Sequence, residues 1–272
     1  MNEKADVSIL GCGWLGLPLA EKLVHSGYRV KGSTTSPARL ELLQQKQIEP
    51  YLVNLQPEET DPESLTSFLN TKTLVLNIPP RLRAGEGEQY LYRLHVLLKS
   101  LLTSPISRIL FVSSTAIYPD LNREVTEDDI SYTAPDNVLL QAEKLFQDRE
   151  EWLTTIVRFG GLIGGNRHPG RFMAGKENLP NGNAPVNLIH LDDCVTILSR
   201  IIEQEMWGRV YNACADEHPT RKHFYTQAAL SIGALPPTFA ETTAAESFKR
   251  ISSQKLKEEL SYHFLHPNPL EV

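Results

Sequence analysis

Apolar residues fall into short solid runs separated by stretches where they recur every three or four positions, and the two patterns alternate along most of the chain. Solid runs suit strands buried on both faces, and the wider spacing suits helices that cover them, so the alternation predicts an α/β fold with a parallel sheet. Asp6 to Leu10 reads as the first strand. Leu15, Leu19, Leu23 and Val24 form the stripe of the helix after it, Gly27 closes that helix, and Tyr28 to Gly32 is the second strand. Further strands are expected at Ile48 to Val53, at Thr73 to Ile78 (stopped by Pro79-Pro80), at Arg108 to Val112 and at Thr155 to Phe159. Arg81 to Glu88 reads as a polar loop. Gln89 to Leu102 and Asp136 to Trp152 read as amphipathic helices, and Asp192 to Gln204 and Thr220 to Ile232 as later helices with Asp192 and Thr220 as caps. Between these groups, glycines and prolines from Gly160 to Pro185 mark a long irregular connection of the kind that walls a ligand crevice.

The first strand breaks into Gly11-Cys12-Gly13-Trp14-Leu15-Gly16, and a helix follows. Gly11 permits the tight turn, Gly13 lets backbone approach a diphosphate, and Gly16 lets the helix pack against the strand. The anion rests on N–H groups at the helix N-terminus, where the dipole is positive. Strand, turn, helix and second strand occur in the order this motif requires. The expected architecture is a Rossmann doubly wound parallel sheet over residues 1–160, with residues 161–272 mostly a small C-terminal substrate lobe that sends segments back to the first domain. A carboxylate about 20 residues past the motif would accept from the ribose 2′-OH of NAD. Here Ser33, Thr34 and Arg39 stand instead, and they suit the 2′-phosphate of NADP, so NADP is preferred over NAD. The alternative is that Pro37 merely opens the next helix at N1, leaving Arg39 solvated.

Composition fits this picture. The chain has 272 residues, 41% hydrophobic and 22% charged, with 27 basic and 33 acidic side chains, a net charge of −6 and a pI near 5.8. The balance argues against nucleic acid as a partner, and neither a leader pattern nor a membrane-length apolar run is seen, so a cytoplasmic protein without a membrane partner is expected. Cys12, Cys194 and Cys214 lie far apart without metal-ligand spacing, which supports neither a disulfide framework nor a metal site. Cys12 sits where a helix N-terminus could lower a thiol pKa, although a small residue in a tight turn explains it as well.

Four blocks in order, namely Gly11 to Gly16, Val112-Ser113-Ser114-Thr115-Ala116-Ile117-Tyr118, Val157 to Gly164 and Asn187-Leu188-Ile189-His190-Leu191-Asp192-Asp193, resemble the extended and atypical short-chain dehydrogenase/reductases, which include nucleotide-sugar epimerases. The resemblance implies a nicotinamide dinucleotide cofactor, a small-molecule substrate such as a nucleotide sugar, and a homodimer paired through the helices that begin near Gln89 and Asp136. It implies cofactor contacts from Gly11, Gly13, Trp14, Leu15, Gly16, Asn77, Ile78, Pro79, Ser113, Phe159 and Gly161. In that superfamily a Tyr with a Lys four residues later moves the proton and a Ser holds the carbinol. Ser114 matches the Ser, but no tyrosine here has a lysine four residues on. Lys144 is preceded at that offset by Leu140, and aligning Glu143 with the family's following Glu puts Pro135 at the tyrosine position. Tyr118 is the substitute donor by sequence logic, with Lys144 or His190 to lower its pKa; packing, a solvated helix residue and a connecting loop are the bland readings of the three. Arg167, Arg171 and His190 are the candidates for holding substrate. Two classes stay open: an NADP-dependent oxidoreductase or epimerase with a non-standard proton donor, and a non-catalytic NADP(H)-binding sensor.

Overall fold

The computed structural model describes residues 6–56, 61–80, 85–241 and 246–272. Residues 81–84 of the loop expected at Arg81 to Glu88 lie outside that range. In chain order the elements are β1 (Val7–Leu10), α1 (Gly16–His25), β2 (Val30–Thr34), α2 (Leu40–Gln45), β3 (Glu49–Leu52), α3 (Pro62–Phe68), β4 (Thr73–Leu76), α4 (Gly87–Leu101), β5 (Arg108–Ser114), β6 (Glu124–Val125) and α5 (Val138–Gln147). They continue with β7 (Leu153–Phe159), β8 (Gly161–Ile163), α6 (Gly170–Met173), β9 (Leu188–His190), α7 (Leu191–Glu203), β10 (Val210–Ala213), α8 (Arg221–Ser231), β11 (Arg250–Ile251) and α9 (Gln254–Glu259).

Seven strands form one sheet in the order β10-β7-β5-β4-β1-β2-β3, and the ladders that join β3, β2, β1, β4 and β5 are parallel. Both faces are covered, as the solid apolar runs predict. Leu74, Leu76, Ile109 and Phe111 pack with Leu94, Leu97 and Leu98 of α4 and Phe146 of α5, while Ile9, Val75 and Leu110, of opposite parity, are also fully buried. Strand order reverses between β1 and β4. In open α/β sheets ligands bind outside the carboxyl ends of the strands at such a switch point.

The chain divides into two compact units that interleave in sequence. One comprises residues 1–113, 134–157 and 198–210; the other comprises 114–133, 158–197 and 211–272. The sequence pattern put the boundary at 160. It gave no sign that residues 114–133 belong to the second unit, because that stretch holds only a two-residue strand and two short 3-10 helices. Within the second unit, β8 pairs with β9 and β6 with β11, and Ile163, Val186, Leu188, Phe224 and Tyr225 form a small core.

Several boundaries move for physical reasons. Gly27 takes a φ of +87°, which suits the residue after α1. The helix expected to reach Trp152 ends at Gln147, and the Trp152 indole N–H instead donates to Phe146 O at 3.0 Å. Thr220 does cap α8, accepting the His223 N–H at 3.3 Å. Asp192 does not cap its helix, because it lies inside the first turn of α7 and its carboxylate meets two imidazoles.

Candidate functional site

The first unit carries a cleft at the switch point, lined by Leu10 to Gly13 at the end of β1 and beyond, Ser33, Thr34, Thr35 and Arg39 at the end of β2 and beyond, Val53, Asn54 and Leu55 after β3, Ile78 and Pro79 after β4, and Arg93 of α4. Its floor is the glycine turn. Gly11 has a φ of +102°, and a Cβ there would come 2.5 Å from Asn77 O. A Cβ on Gly16 would come 2.2 Å from Gly11 O, so turn and helix touch backbone to backbone. At Gly13 a Cβ would meet nothing within 4 Å among the described residues, which leaves the turn's open face to a ligand.

Neighbouring strands hold the turn. The Ser33 hydroxyl accepts the Gly11 N–H at 2.9 Å, the Cys12 N–H donates to Ser33 O at 2.9 Å, and the Asn77 side-chain amide donates to Gly11 O at 2.9 Å. Ser33 and Asn77 thus position the turn. The Thr34 hydroxyl accepts the Ser36 N–H at 3.1 Å and keeps its own proton to donate. Trp14 is half-buried and Leu15 buried at the entry to α1. Burial pushes the Cys12 thiol up to about 12, so it is no thiolate. Among the described residues the lining contains Arg39 and Arg93 and no carboxylate. Open backbone at Gly13, a helix N-terminus and two guanidinium groups fit a polyanionic dinucleotide.

At the end of β5, buried Ser113 donates to Glu143 Oε1 at 2.5 Å. Lys144, the next residue of α5, is exposed and lines a surface groove with Leu91, His95, Gln141, Leu145, Asp148 and Arg149.

The second unit holds the other candidates. Ser114 is half-exposed, and its hydroxyl accepts the Ala116 N–H at 3.2 Å. Tyr118 is 2% exposed; its hydroxyl donates to Asn212 Oδ1 at 2.8 Å and accepts from Arg158 Nη1 at 2.5 Å. Burial pushes this phenol up to about 12 despite the adjacent Arg158. Glu127 joins the network by accepting the Asn212 backbone N–H at 2.6 Å, and burial raises its carboxyl above the usual range. Phe159 is buried, and Gly161 opens β8, where a Cβ would come 2.8 Å from Leu188. Arg167 and Arg171 are exposed on the connection that leads to and includes α6.

His190 lies at the end of β9, its Nδ1 3.3 Å from Asp192 Oδ2, while His266 Nε2 is 3.0 Å from the same oxygen. The two ring centroids lie 3.9 Å apart with the planes tilted by 48°. Buried Asp193 accepts the Tyr262 hydroxyl and the Leu265 and His266 N–H groups, at 2.6, 2.7 and 3.1 Å, which fixes the segment carrying His266. Burial, and then the neighbouring His266, lower the His190 pKa. His190 therefore sits in a hydrogen-bonded clamp with Asp192 and His266.

The cleft brings together Gly11, Gly13, Ser33, Thr34, Arg39, Ile78 and Pro79 of the sequence-derived set. Sequence reasoning missed Asn54 and Arg93 in its lining, and the Ser113–Glu143 pair. Asn54 ends the third apolar run and so was within reach of a sequence argument. Arg93 falls on the polar side of a helical pattern, which carries no such mark.

No family model matches the chain. It is 36% identical over 273 residues to Protein YeeZ of Escherichia coli K12, covering 97% of each chain. Among solved structures it is similar to a candidate NAD-dependent epimerase/dehydratase from Methylobacillus flagellatus, with 25% identity, a TM-score of 0.72 and coverage of 98% and 95%. A short-chain dehydrogenase/reductase superfamily protein from Agrobacterium tumefaciens with bound NAD shares the fold, with a TM-score of 0.76 at 17% identity over 98% and 95% of the two chains. The UDP-glucose 4-epimerase of Thermotoga maritima does so with a TM-score of 0.73 at 15% identity over 96% and 94%. With a glycine turn at the switch point of a seven-stranded sheet and a relative matched along almost its whole length, the chain belongs to the family of YeeZ and is built on the fold of the extended short-chain dehydrogenase/reductases.

Proposed function

We propose that the first unit binds a nicotinamide dinucleotide, with NADP preferred over NAD, and that the protein is an oxidoreductase or epimerase acting on a carbonyl or carbinol of a small molecule such as a nucleotide sugar. The observation that carries this reading is the cleft itself: open backbone at Gly13 beside Arg39, with no carboxylate in the described lining to meet a ribose 2′-OH. When bound, the cofactor supplies hydride chemistry. The chain's part is to hold and orient. The start of α1 presents N–H groups to the diphosphate over the open backbone at Gly13, Ser33 and Asn77 keep the Gly11 turn in register, and Arg39 meets the 2′-phosphate in a charge-assisted pair worth about 1.5–3 kcal/mol. In the first unit Ser113 is the candidate for the nicotinamide side; in the second the resemblance offers Phe159 and Gly161 for the ring, and Ser114 has a half-exposed hydroxyl for a carbonyl. Arg167, Arg171 and His190 serve the substrate. The names of several neighbours record NAD or a UDP-sugar as ligand, which supports the same class.

A second reading has its own observation. The Tyr118 hydroxyl is enclosed by Arg158 and Asn212, and Lys144 is exposed on the outer groove of α4 and α5. With neither in the family's Tyr/Lys arrangement, a binding protein that reports NADP(H) without turnover fits the same cleft. A thermal-shift series with NAD⁺, NADH, NADP⁺ and NADPH tests the binding claim through stabilisation by mass action. NADPH should raise the midpoint more than NADH, and Arg39→Ala should erase that difference. Equal shifts in the wild type would remove the NADP assignment. Turnover of a nucleotide-sugar panel by a protein that binds NADPH separates enzyme from sensor.

A further inference from the structure

α4 contributes Arg93 to the cleft as its second guanidinium, and neither the diphosphate contact nor the 2′-phosphate contact proposed above involves it. Its Nη2 lies 3.5 Å from Glu86 Oε2, an ion pair whose side chains are 23% and 30% exposed. Its Nε is buried and has no hydrogen-bond partner among the described residues. A buried donor without an acceptor destabilises a fold, and native proteins keep few of them. Such a donor on a cleft-lining cation marks a place where a ligand brings the acceptor.

The surroundings say which part of the ligand. Val53 and Leu55 after β3, and Ile78 and Pro79 after β4, give the cleft apolar walls that suit a flat aromatic ring, with the Asn54 amide between them. The anion-binding elements, the glycine turn and Arg39, follow β1 and β2. A guanidinium beside apolar walls can serve a purine either by stacking flat on the base or, edge-on, by donating its N–H groups to ring nitrogens, and the buried Nε that lacks an acceptor favours the edge-on mode. From this we infer that Arg93 recognises the adenine base of the dinucleotide, with Glu86 holding the guanidinium in place. The inference rests on the dinucleotide reading and deepens it. Arg39 distinguishes NADP from NAD, whereas Arg93 serves the part the two cofactors share.

The test is a fluorescence titration of NADH and NADPH into wild type, Arg93→Gln and Arg93→Lys, at low and at high salt. Both variants should bind each cofactor about tenfold or more weakly, with the NADPH-to-NADH ratio preserved. Lysine should fail to rescue because it keeps the charge and loses the plane. The loss factor should persist at high salt, since a base contact is screened far less than a phosphate contact. Unchanged affinity in Arg93→Gln would overturn the assignment. A loss confined to NADPH, or one that vanishes at high salt, would also overturn it by moving Arg93 to a phosphate. A wild type that binds neither cofactor would defeat the dinucleotide reading and this inference with it, and the wild-type arm shows that outcome separately.

Discussion

Two alanine substitutions three residues apart should behave in opposite ways. Gly13 does not have a positive φ, and a Cβ there would meet nothing within 4 Å, so Gly13→Ala fits the free protein. Restricting the unfolded chain at a compatible position stabilises by about 0.4–1 kcal/mol, which in a chain of this size raises Tm by about 1–4 °C. On the proposed function that open space is also where the diphosphate approaches. A methyl group there lengthens at least one charge-assisted hydrogen bond, with an expected loss of about tenfold to a hundredfold in dinucleotide affinity. Gly16→Ala instead drives a Cβ to 2.2 Å from Gly11 O and 2.9 Å from Asn77 Nδ2, which is backbone and a hydrogen-bonded amide with little freedom to move. Overpacking of this kind costs about 1–3 kcal/mol, a fall in Tm of about 2–10 °C. Thermal unfolding without ligand, paired with NADPH titration, reads both. A Gly13→Ala protein that binds NADPH as tightly as wild type, or a Gly16→Ala protein of unchanged stability, would refute the reasoning.

Other outcomes follow from the second unit and from the buried thiols. Arg123 pairs with both Asp129 oxygens at 2.7 and 3.0 Å and, with the Thr126 N–H, holds that carboxyl down to about 2. Because the folded value is depressed, the contribution is present above the ordinary carboxylate range and is lost as pH falls from about 4 toward 2; Arg123→Gln should lose more stability relative to wild type at pH 7 than at pH 2.5 in urea unfolding, and a pH-independent difference would contradict this. Tyr118→Phe should destabilise by about 1–3 kcal/mol, because Arg158 and Asn212 lose a shared buried partner, and it should leave NADPH affinity unchanged; wild-type stability would argue against the network. Cys12, Cys194 and Cys214 are buried with thiol pKa values raised by desolvation, so a disulfide reagent should modify none of them in the native protein at pH 8 and all of them in denaturant. Rapid native labelling would count against this burial.

The parts of this molecule that were legible in the sequence are those where local chemistry has one solution. Gly11, Gly13 and Gly16 could be given separate duties because φ, open space and helix contact are properties of single residues at fixed spacing. β1, β4, β5 and β7 were legible because they are apolar runs largely buried on both faces, whereas β10, which completes the sheet, was passed over. Asp61-Pro62, a cap followed by a proline at the first helical position, announces α3, and the sequence reading passed over it. Arg93 and Glu143 were not legible as site residues, because their roles depend on which strand ends the topology brings beside them. Tyr118 shows the opposite difficulty. Its place in the Ser113-to-Tyr118 block suggests chemistry, yet burial with Arg158 and Asn212 is decided by residues 40 and 94 positions away.

The claim on which the rest depends is that the turn from Gly11 to Gly16 holds a dinucleotide diphosphate. Isothermal titration calorimetry of the folded wild-type protein with NADPH and NADH measures it directly. One site per chain, with NADPH bound more tightly than NADH, is the predicted result; no heat of binding with either cofactor would contradict the account.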